Sequence, residues 1–169
     1  YDAAISYARL KDESERLAAH LQQRCGVRRG DRVLLYLQNS PQFVIGYYAI
    51  LRADAVVVPV NPMNLSEELR HYVLDAGART ILAPQDLWAP VRPLLHEGLA
   101  AAAADARAPG RRPAVVAAYG DYLTAPTDLA VPAFVSAPRE PVEEPGACAW
   151  MDALAAGLRP APIAAGPDD

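Results

Sequence analysis

Two hydrophobic periods alternate along the first two thirds of the chain. Residues 6–25 carry Leu10, Leu17, Leu21 and Cys25 at helical spacing, with Lys11, Glu13, Glu15 and Arg16 turned to water, which predicts an amphipathic helix. Ser6 is suited to cap that helix, and Gly26 to end it in a left-handed conformation. After "RRGD", the short apolar run "RVLLYL" (32–37) suits a buried strand. Ser40-Pro41 then opens a second helix, with Ser as cap and Pro in the first turn, where its missing N–H costs nothing. Through Ala53 this helix is apolar nearly all round (Phe43, Val44, Ile45, Tyr47, Tyr48, Ile50, Leu51), so most of it should be covered. It stops at Asp54, where a terminating left-handed residue is expected and Gly would be at ease.

"AVVVPV" (55–60) predicts the second strand and "NPMNL" a turn. Ser66 is expected to cap a third helix whose first turn holds Glu67 and Glu68. Gly77 closes it, and "RTILA" (79–83) is the third strand. A fourth helix lies within 84–107, bent or delayed by Pro90 and Pro93, and "AVVAA" (114–118) is a fourth strand. Strands alternating with helices at this spacing indicate an α/β fold, a parallel sheet flanked by helices in βαβ units.

Beyond Tyr119 the character changes. Half of the 16 prolines fall between 126 and 167, with "CAWMDALAAG" (148–157) as one short helix candidate. The expected organisation is an α/β unit over 1–119 and a Pro-rich extended segment over 120–169 that wraps other structure.

Composition narrows the class. A chain of 169 residues suffices for one ordinary domain, and with only 7% aromatics its core must be aliphatic. A net charge of −4 with interspersed signs argues against a nucleic-acid partner, which would need a clustered basic surface. No uncharged apolar run reaches the roughly 18–20 residues that span a bilayer, so no transmembrane segment is expected. The start shows no secretory pattern, and a cytoplasmic location is expected, with peripheral membrane contact as an alternative. Cys25 and Cys148 match no metal-ligand spacing and read as free thiols.

Candidate chemistry is sparse. "LQNSPQF" stands where a Gly-rich dinucleotide loop would follow the first strand, and no Ser occupies a Gly-x-Ser-x-Gly elbow. His20, His71 and His96 lack helical partners and read as surface or boundary residues rather than metal ligands. Adjacent acids such as Glu67 and Glu68 are most simply solvated, so no catalytic residue and no metal ligand is assigned. "NPMN" is the loop with functional promise, because ligands of parallel sheets gather outside strand carboxyl ends. The plainer reading is a turn that merely reverses the chain. Trp88 either shields the same region or simply packs.

Several pieces together, "SYARL", "GVRRGDRV", "LQNSPQFVIGYYAILRADAVVVPVNP", "SEEL" and "DAGARTIL", resemble the N-terminal part of the adenylate-forming (AMP-binding) acyl-CoA synthetases, of the bacterial medium- and long-chain fatty acid–CoA ligase type. "WMDALAAGLRPAPIAAGPDD" is similar to the stretch that leads into their nucleotide loop. The resemblance implies the N-terminal subdomain of an acyl-CoA synthetase/luciferase-like fold, with ATP, Mg²⁺ and CoA as cofactors and a fatty acid as substrate. An acyl-adenylate would form first and a thioester second. It also implies that Asn61, Pro62 and Met63 line the approach of CoA. The remainder of the same polypeptide is the implied partner, and a homodimer is the alternative cover for helix 41–53. The family's Thr/Ser/Gly-rich phosphate loop, its later ATP motifs and its C-terminal lysine do not occur in these residues, so the fragment alone is expected to be inactive. From another class, a stand-alone flavodoxin-like binding module or a pseudo-enzyme used for protein contacts remains the alternative. A phospho-acceptor receiver is disfavoured, since Asp86 alone makes no acidic pocket.

Overall fold

The computed structural model describes residues 1–97 and 111–166. Five parallel strands form one sheet: β1 (Arg32–Leu35), β2 (Val56–Pro59), β3 (Thr80–Pro84), β4 (Ala114–Ala117) and β5 (Ala147–Ala149), in the order β2-β1-β3-β4-β5. Parallel strands need both faces covered, which is why their sequences are nearly continuous apolar runs. On one face α1 (Tyr7–Gln23), α2 (Pro41–Arg52) and α6 (Trp150–Ala155) cover Val33, Leu35, Leu82, Val115 and Ala117. On the other, α3 (Ser66–Asp75) and α4 (Trp88–Val91) cover Leu34, Tyr36, Ile81 and Ala83. The chain steps outward through α2 to β2 and returns through α3 past β1 to β3, so right-handed crossovers put these two helices on opposite faces.

Local chemistry sets the helix ends. Ser6 and Ser40 each accept a backbone N–H at 3.2 Å, from Arg9 and Phe43 respectively. α3 departs from expectation: Ser66 is its first helical residue, and the cap is the Glu68 carboxylate, which accepts the Leu65 N–H at 2.7 Å. An acid at the third helical position reaches back to the preceding free donor and also complements the helix dipole. Asp54 takes φ 58°, the left-handed conformation anticipated for the residue that ends α2.

Pro59 occupies the exposed edge without loss. Val56 and Val60 N–H donate inward, to Asp31 and Leu35 carbonyls at 2.9 and 3.0 Å, so the alternating position 59 faces outward and needs no donor.

Two further expectations are corrected. The fourth helix is a single turn, α4, between 3₁₀ turns at Gln85–Leu87 and Arg92–Leu95, because Pro90 and Pro93 remove donors; its expected continuation over 98–107 lies outside the described residues. Within this chain helix α2 is covered on its sheet-facing side, with Val44, Tyr47, Tyr48 and Leu51 exposed. The sheet also has a fifth strand where only a short helix was expected. Ala147–Ala149 pairs in parallel with β4, and Trp150, Ala153 and Leu154 of the following α6 are buried in the main core.

The rest of the Pro-rich region is held by specific bonds. The Gln85 amide donates to the Pro138 carbonyl at 2.9 Å and accepts the Glu140 N–H at 3.0 Å, while Arg139 pairs with Asp121 at 2.8 Å. A short helical turn, α5 (Ala133–Ser136), packs on the 3₁₀ turn Tyr119–Tyr122. Residues 157–166 run as a strap across the carboxyl ends of α1 and α2. Gln23 donates to the Arg159 carbonyl at 2.6 Å, Gln22 accepts the Ala161 N–H at 2.9 Å, and Arg52 donates to the Ala161 carbonyl at 2.8 Å. The Asp54 carboxylate then accepts the N–H groups of Ala164 and Ala165 at 2.9–3.1 Å.

Candidate functional site

The carboxyl ends of β1, β2 and β4 share one side of the sheet, and two clefts open there. The first, about 300 Å³, is lined by Leu37, Gln38, Asn39, Phe43, Pro59, Val60, Asn61 and Pro62. The second, about 370 Å³, includes Gln38, Asn39, Ser40, Tyr119, Tyr122 and Phe134. Gln38 and Asn39, on the loop between β1 and α2, border both clefts.

The Asn61–Asn64 turn is built from its own amides. Asn64 N–H donates to the Asn61 carbonyl at 3.0 Å, and Met63 N–H donates to Asn61 Oδ1 at 3.0 Å, an Asx turn. Tyr36, just beyond β1, brings its hydroxyl to 3.1 Å from both the Pro62 and Asn64 carbonyls, so one proton is shared between two acceptors. The sheet thus holds this turn from below. Burial, with the nearby Asp86 charge adding to it, raises the Tyr36 phenol above its ordinary pKa and keeps it a donor. Burial likewise raises Asp86.

Of the three residues singled out from the sequence, Asn61 and Pro62 line the first cleft, whereas Met63 is 80% exposed and does not border it. Trp88 packs partly buried against the core beneath α3 and α4. The sequence reading missed Tyr119. Its hydroxyl accepts the Gln38 N–H at 2.8 Å, and burial raises its pKa, so it stays protonated and keeps a proton to donate. The available signal was a tyrosine standing directly after the "AVVAA" strand, at the end where such sheets bind ligands.

Beneath the second cleft lies a polar network. Tyr122 donates to Glu13 Oε2 at 2.6 Å and accepts from Trp150 Nε1 at 3.2 Å, and Arg9 donates to Glu13 Oε1 at 2.7 Å. It joins α1, the turn after β4 and α6, and every member has a partner, as a buried network requires. Gln42, fully buried, donates to the Ala118 carbonyl at 2.8 Å and fixes the start of α2 to the end of β4.

The histidines and cysteines lie apart from these clefts. His20 is buried rather than at the surface, with Nε2 3.3 Å from Cys148 Sγ, and desolvation lowers its pKa. Both cysteines are free; burial pushes Cys148 up to about 11 and raises Cys25 further, so neither is a reactive thiolate at neutral pH. Among the described residues no three His, Cys, Asp or Glu side chains converge on a metal-sized site. Nor is any described helix long and apolar enough to cross a membrane.

Comparison with known proteins agrees with this fold. The model of the AMP-binding enzyme family matches residues 1–151. A long-chain-fatty-acid–CoA ligase of Salmonella typhimurium is 40% identical over 78 residues, covering 46% of this chain and 14% of the relative. An oxalate–CoA ligase of Arabidopsis thaliana is 34% identical over 88 residues, covering 52% of this chain and 17% of the relative. The solved benzoate CoA ligase of Burkholderia xenovorans LB400 superposes over 98% of this chain and 26% of its own, with a TM-score of 0.66 at 19% identity, and so shares the fold. The chain spans less than a fifth of the length of either relative. It belongs to the AMP-binding enzyme family.

Proposed function

We propose that this member of the AMP-binding enzymes is the N-terminal part of an ATP-dependent fatty acid–CoA ligase. The observation that carries the reading is the 40% identity to a long-chain-fatty-acid–CoA ligase over 78 residues. The relatives' names also include oxalate and carnitine as acids, so the fatty acid is the part of the reading that rests on this identity.

The residues of this chain divide the cofactors between fitting and not fitting. A triphosphate with Mg²⁺ calls for cations or a cluster of converging backbone donors. The lining of the two clefts contains amides, hydroxyls and apolar groups but no Lys or Arg, and the chain's only lysine, Lys11, lies on α1. These residues supply no step of nucleotide chemistry, and the fragment alone is inactive on this reading. The first cleft fits the amide-bearing arm of CoA better. Gln38, Asn39 and Asn61 offer donors and acceptors, Leu37, Phe43, Pro59 and Pro62 offer apolar walls, and Tyr36 keeps the turn rigid. Asn61 and Pro62 would border the arm, whereas Met63, exposed on the same turn, lies outside the cleft. CoA, when bound, supplies the thiol that accepts the acyl group; these residues orient its arm.

The test is ATP–pyrophosphate exchange by the full-length protein with saturated fatty acids, oxalate and benzoate, followed by thioester formation with CoA. Exchange stimulated by fatty acids, with none from residues 1–169 alone, is the expected result. Stimulation by oxalate or benzoate and by no fatty acid would refute the substrate class. Exchange by the fragment would reveal a nucleotide site within residues 1–169.

A further inference from the structure

The CoA reading leaves the second cleft, about 370 Å³, without an occupant. That volume suits a small organic molecule. Its walls are largely aromatic. Tyr119 and Phe134 meet edge to face with centroids 5.9 Å apart, and Tyr122, Leu123 and Val135 continue the lining. Gly120 lets this wall close up. A Cβ there would stand 3.0 Å from the Ala137 carbonyl oxygen and 3.3 Å from that of Val135, so the segment carrying Phe134 lies directly on the turn after β4.

Three polar groups bordering this cleft have unused hydrogen-bonding capacity. Tyr119, 5% exposed, accepts the Gln38 N–H through its hydroxyl, and the hydroxyl proton has no acceptor among the described residues. Burial keeps that phenol protonated. Ser40 Oγ accepts the Phe43 N–H, and its proton likewise has no acceptor among the described residues. Gln42 is fully buried; its Nε2 donates to the Ala118 carbonyl, and its Oε1 has no hydrogen-bond partner. A buried amide oxygen in this condition is an exception in folded proteins and points to a donor from outside the chain. Two protons therefore seek an acceptor, and one oxygen seeks a donor.

No Asp, Glu, Lys, Arg or His side chain among the described residues borders the cleft. Arg9 and Glu13, in the network beneath it, are paired with each other. An ionised carboxylate or ammonium would leave water here without a counter-charge, whereas a neutral group loses only hydrogen bonds that these residues replace. A carboxamide has the required complement, a carbonyl oxygen beside an N–H. An aromatic ring matches the walls. We infer that the second cleft binds an uncharged aromatic carboxamide, its carbonyl accepting from the Tyr119 hydroxyl and its N–H donating to Gln42 Oε1. The Ser40 hydroxyl is a second donor at the same cleft. This site is independent of the ligase reading, since it needs no acid, nucleotide or CoA to be bound.

A benzamide bearing a diazirine on its ring, photolysed with the full-length protein and mapped by peptide mass spectrometry, tests the site. Labelling should fall within 38–42, 119–123 or 134–135. Free benzamide should suppress it at a concentration at least about tenfold below that needed for benzoate, which has the same ring but a charge in place of the N–H. Tyr119→Phe should weaken labelling about fivefold, as loss of one hydrogen bond does, and Tyr36→Phe, at the first cleft, should leave it unchanged. Phe134→Ala, which keeps every hydrogen bond, should also weaken it, and denaturation midpoints show that each variant is folded. Equal suppression by benzamide and benzoate overturns the carboxamide. Labelling absent from all three segments overturns the site, because the cleft then holds only water or other parts of the chain. Neither outcome bears on pyrophosphate exchange, so the ligase reading stands or falls separately.

Discussion

Asp54 offers a perturbation in which backbone and side chain act in opposite directions. At φ 58° an L-residue is strained by about 1–2 kcal/mol, less for Asp, so Asp54→Gly should relieve up to about 1 kcal/mol in the core. The same change deletes the carboxylate that accepts Ala164 and Ala165 N–H at 2.9–3.1 Å. Hydrogen bonds to a charged group contribute about 1.5–3 kcal/mol each when buried, but these are largely solvent-exposed, and about 1–2 kcal/mol for the pair is a fair discount. That loss falls on the strap and not on the sheet. Hydrogen exchange at Ala164 and Ala165 should therefore accelerate about 5- to 30-fold in Asp54→Gly, while the denaturation midpoint of the sheet stays level or rises. Asp54→Asn keeps one acceptor and tolerates the left-handed conformation, so its exchange should fall between. Asp54→Ala keeps the strain and loses the clasp, and it should be the least stable of the three. Unchanged exchange at Ala164 and Ala165 in Asp54→Gly would refute the clasp. A drop in the sheet's stability as large as that of the strap would refute the separation of the two effects.

Trp150→Ala removes a fully buried indole and the donor to Tyr122, and should cost about 3–5 kcal/mol in chemical denaturation. Tyr36→Phe deletes the hydroxyl shared by the Pro62 and Asn64 carbonyls; at about 1 kcal/mol it should raise the KM for CoA about fivefold in the full-length enzyme and leave pyrophosphate exchange unchanged. Burial lowers the His20 pKa below 6.5, so the unfolded chain binds the extra proton first: this contribution to stability is full above pH 6.5 and is lost as pH falls toward the folded pKa. His20→Gln should flatten the pH dependence of the denaturation midpoint in that acidic window. Limited proteolysis should cut within 123–131, where exposed residues alternate with partly covered ones, before it cuts 147–155, where the chain forms β5 and α6.

Elements whose cause is local were legible in the sequence. Ser40-Pro41 supplies a cap and a donor-free first turn within two residues, and α2 begins there. "RTILA" and "AVVAA" can be covered on both faces only as central strands, and they became β3 and β4, the latter between β3 and β5. Asp54 announced its backbone conformation because only Ala53 and Ala55 stand beside it between the end of α2 and the start of β2. β5 was not legible for the opposite reason. Ala147, Cys148 and Ala149 have no strong preference of their own, and their extended geometry is set by pairing with Ala114, Val115 and Val116 more than thirty residues earlier. The fully buried Trp150 then anchors the segment that follows, so a Pro-rich composition did not prevent residues 147–155 from joining the core.

The candidate site divides along the same line. The Asn61 turn is written in adjacent residues, since Asn61 bonds the N–H of Met63 and the carbonyl–amide closure spans Asn61 to Asn64. What makes that turn part of a cleft is remote: Tyr36 reaches it from β1, and Tyr119 reaches Gln38 from the end of β4. Both tyrosines stand one or two residues past a strand that the apolar pattern does reveal, and both have pKa values raised by burial. Once strand order is known, β1 lies beside β2 and only β3 separates it from β4, so side chains just past their carboxyl ends must converge. The hydroxyls at 36 and 119 follow from topology combined with sequence, where neither alone would place them. The strap obeys the same logic in reverse, since Gln22, Gln23, Arg52 and Asp54 look like ordinary polar helix ends until 159–165 lies across them. Polar residues at neighbouring helix carboxyl ends are thus the place to look when an extended, Pro-rich segment must be held without a strand or helix of its own.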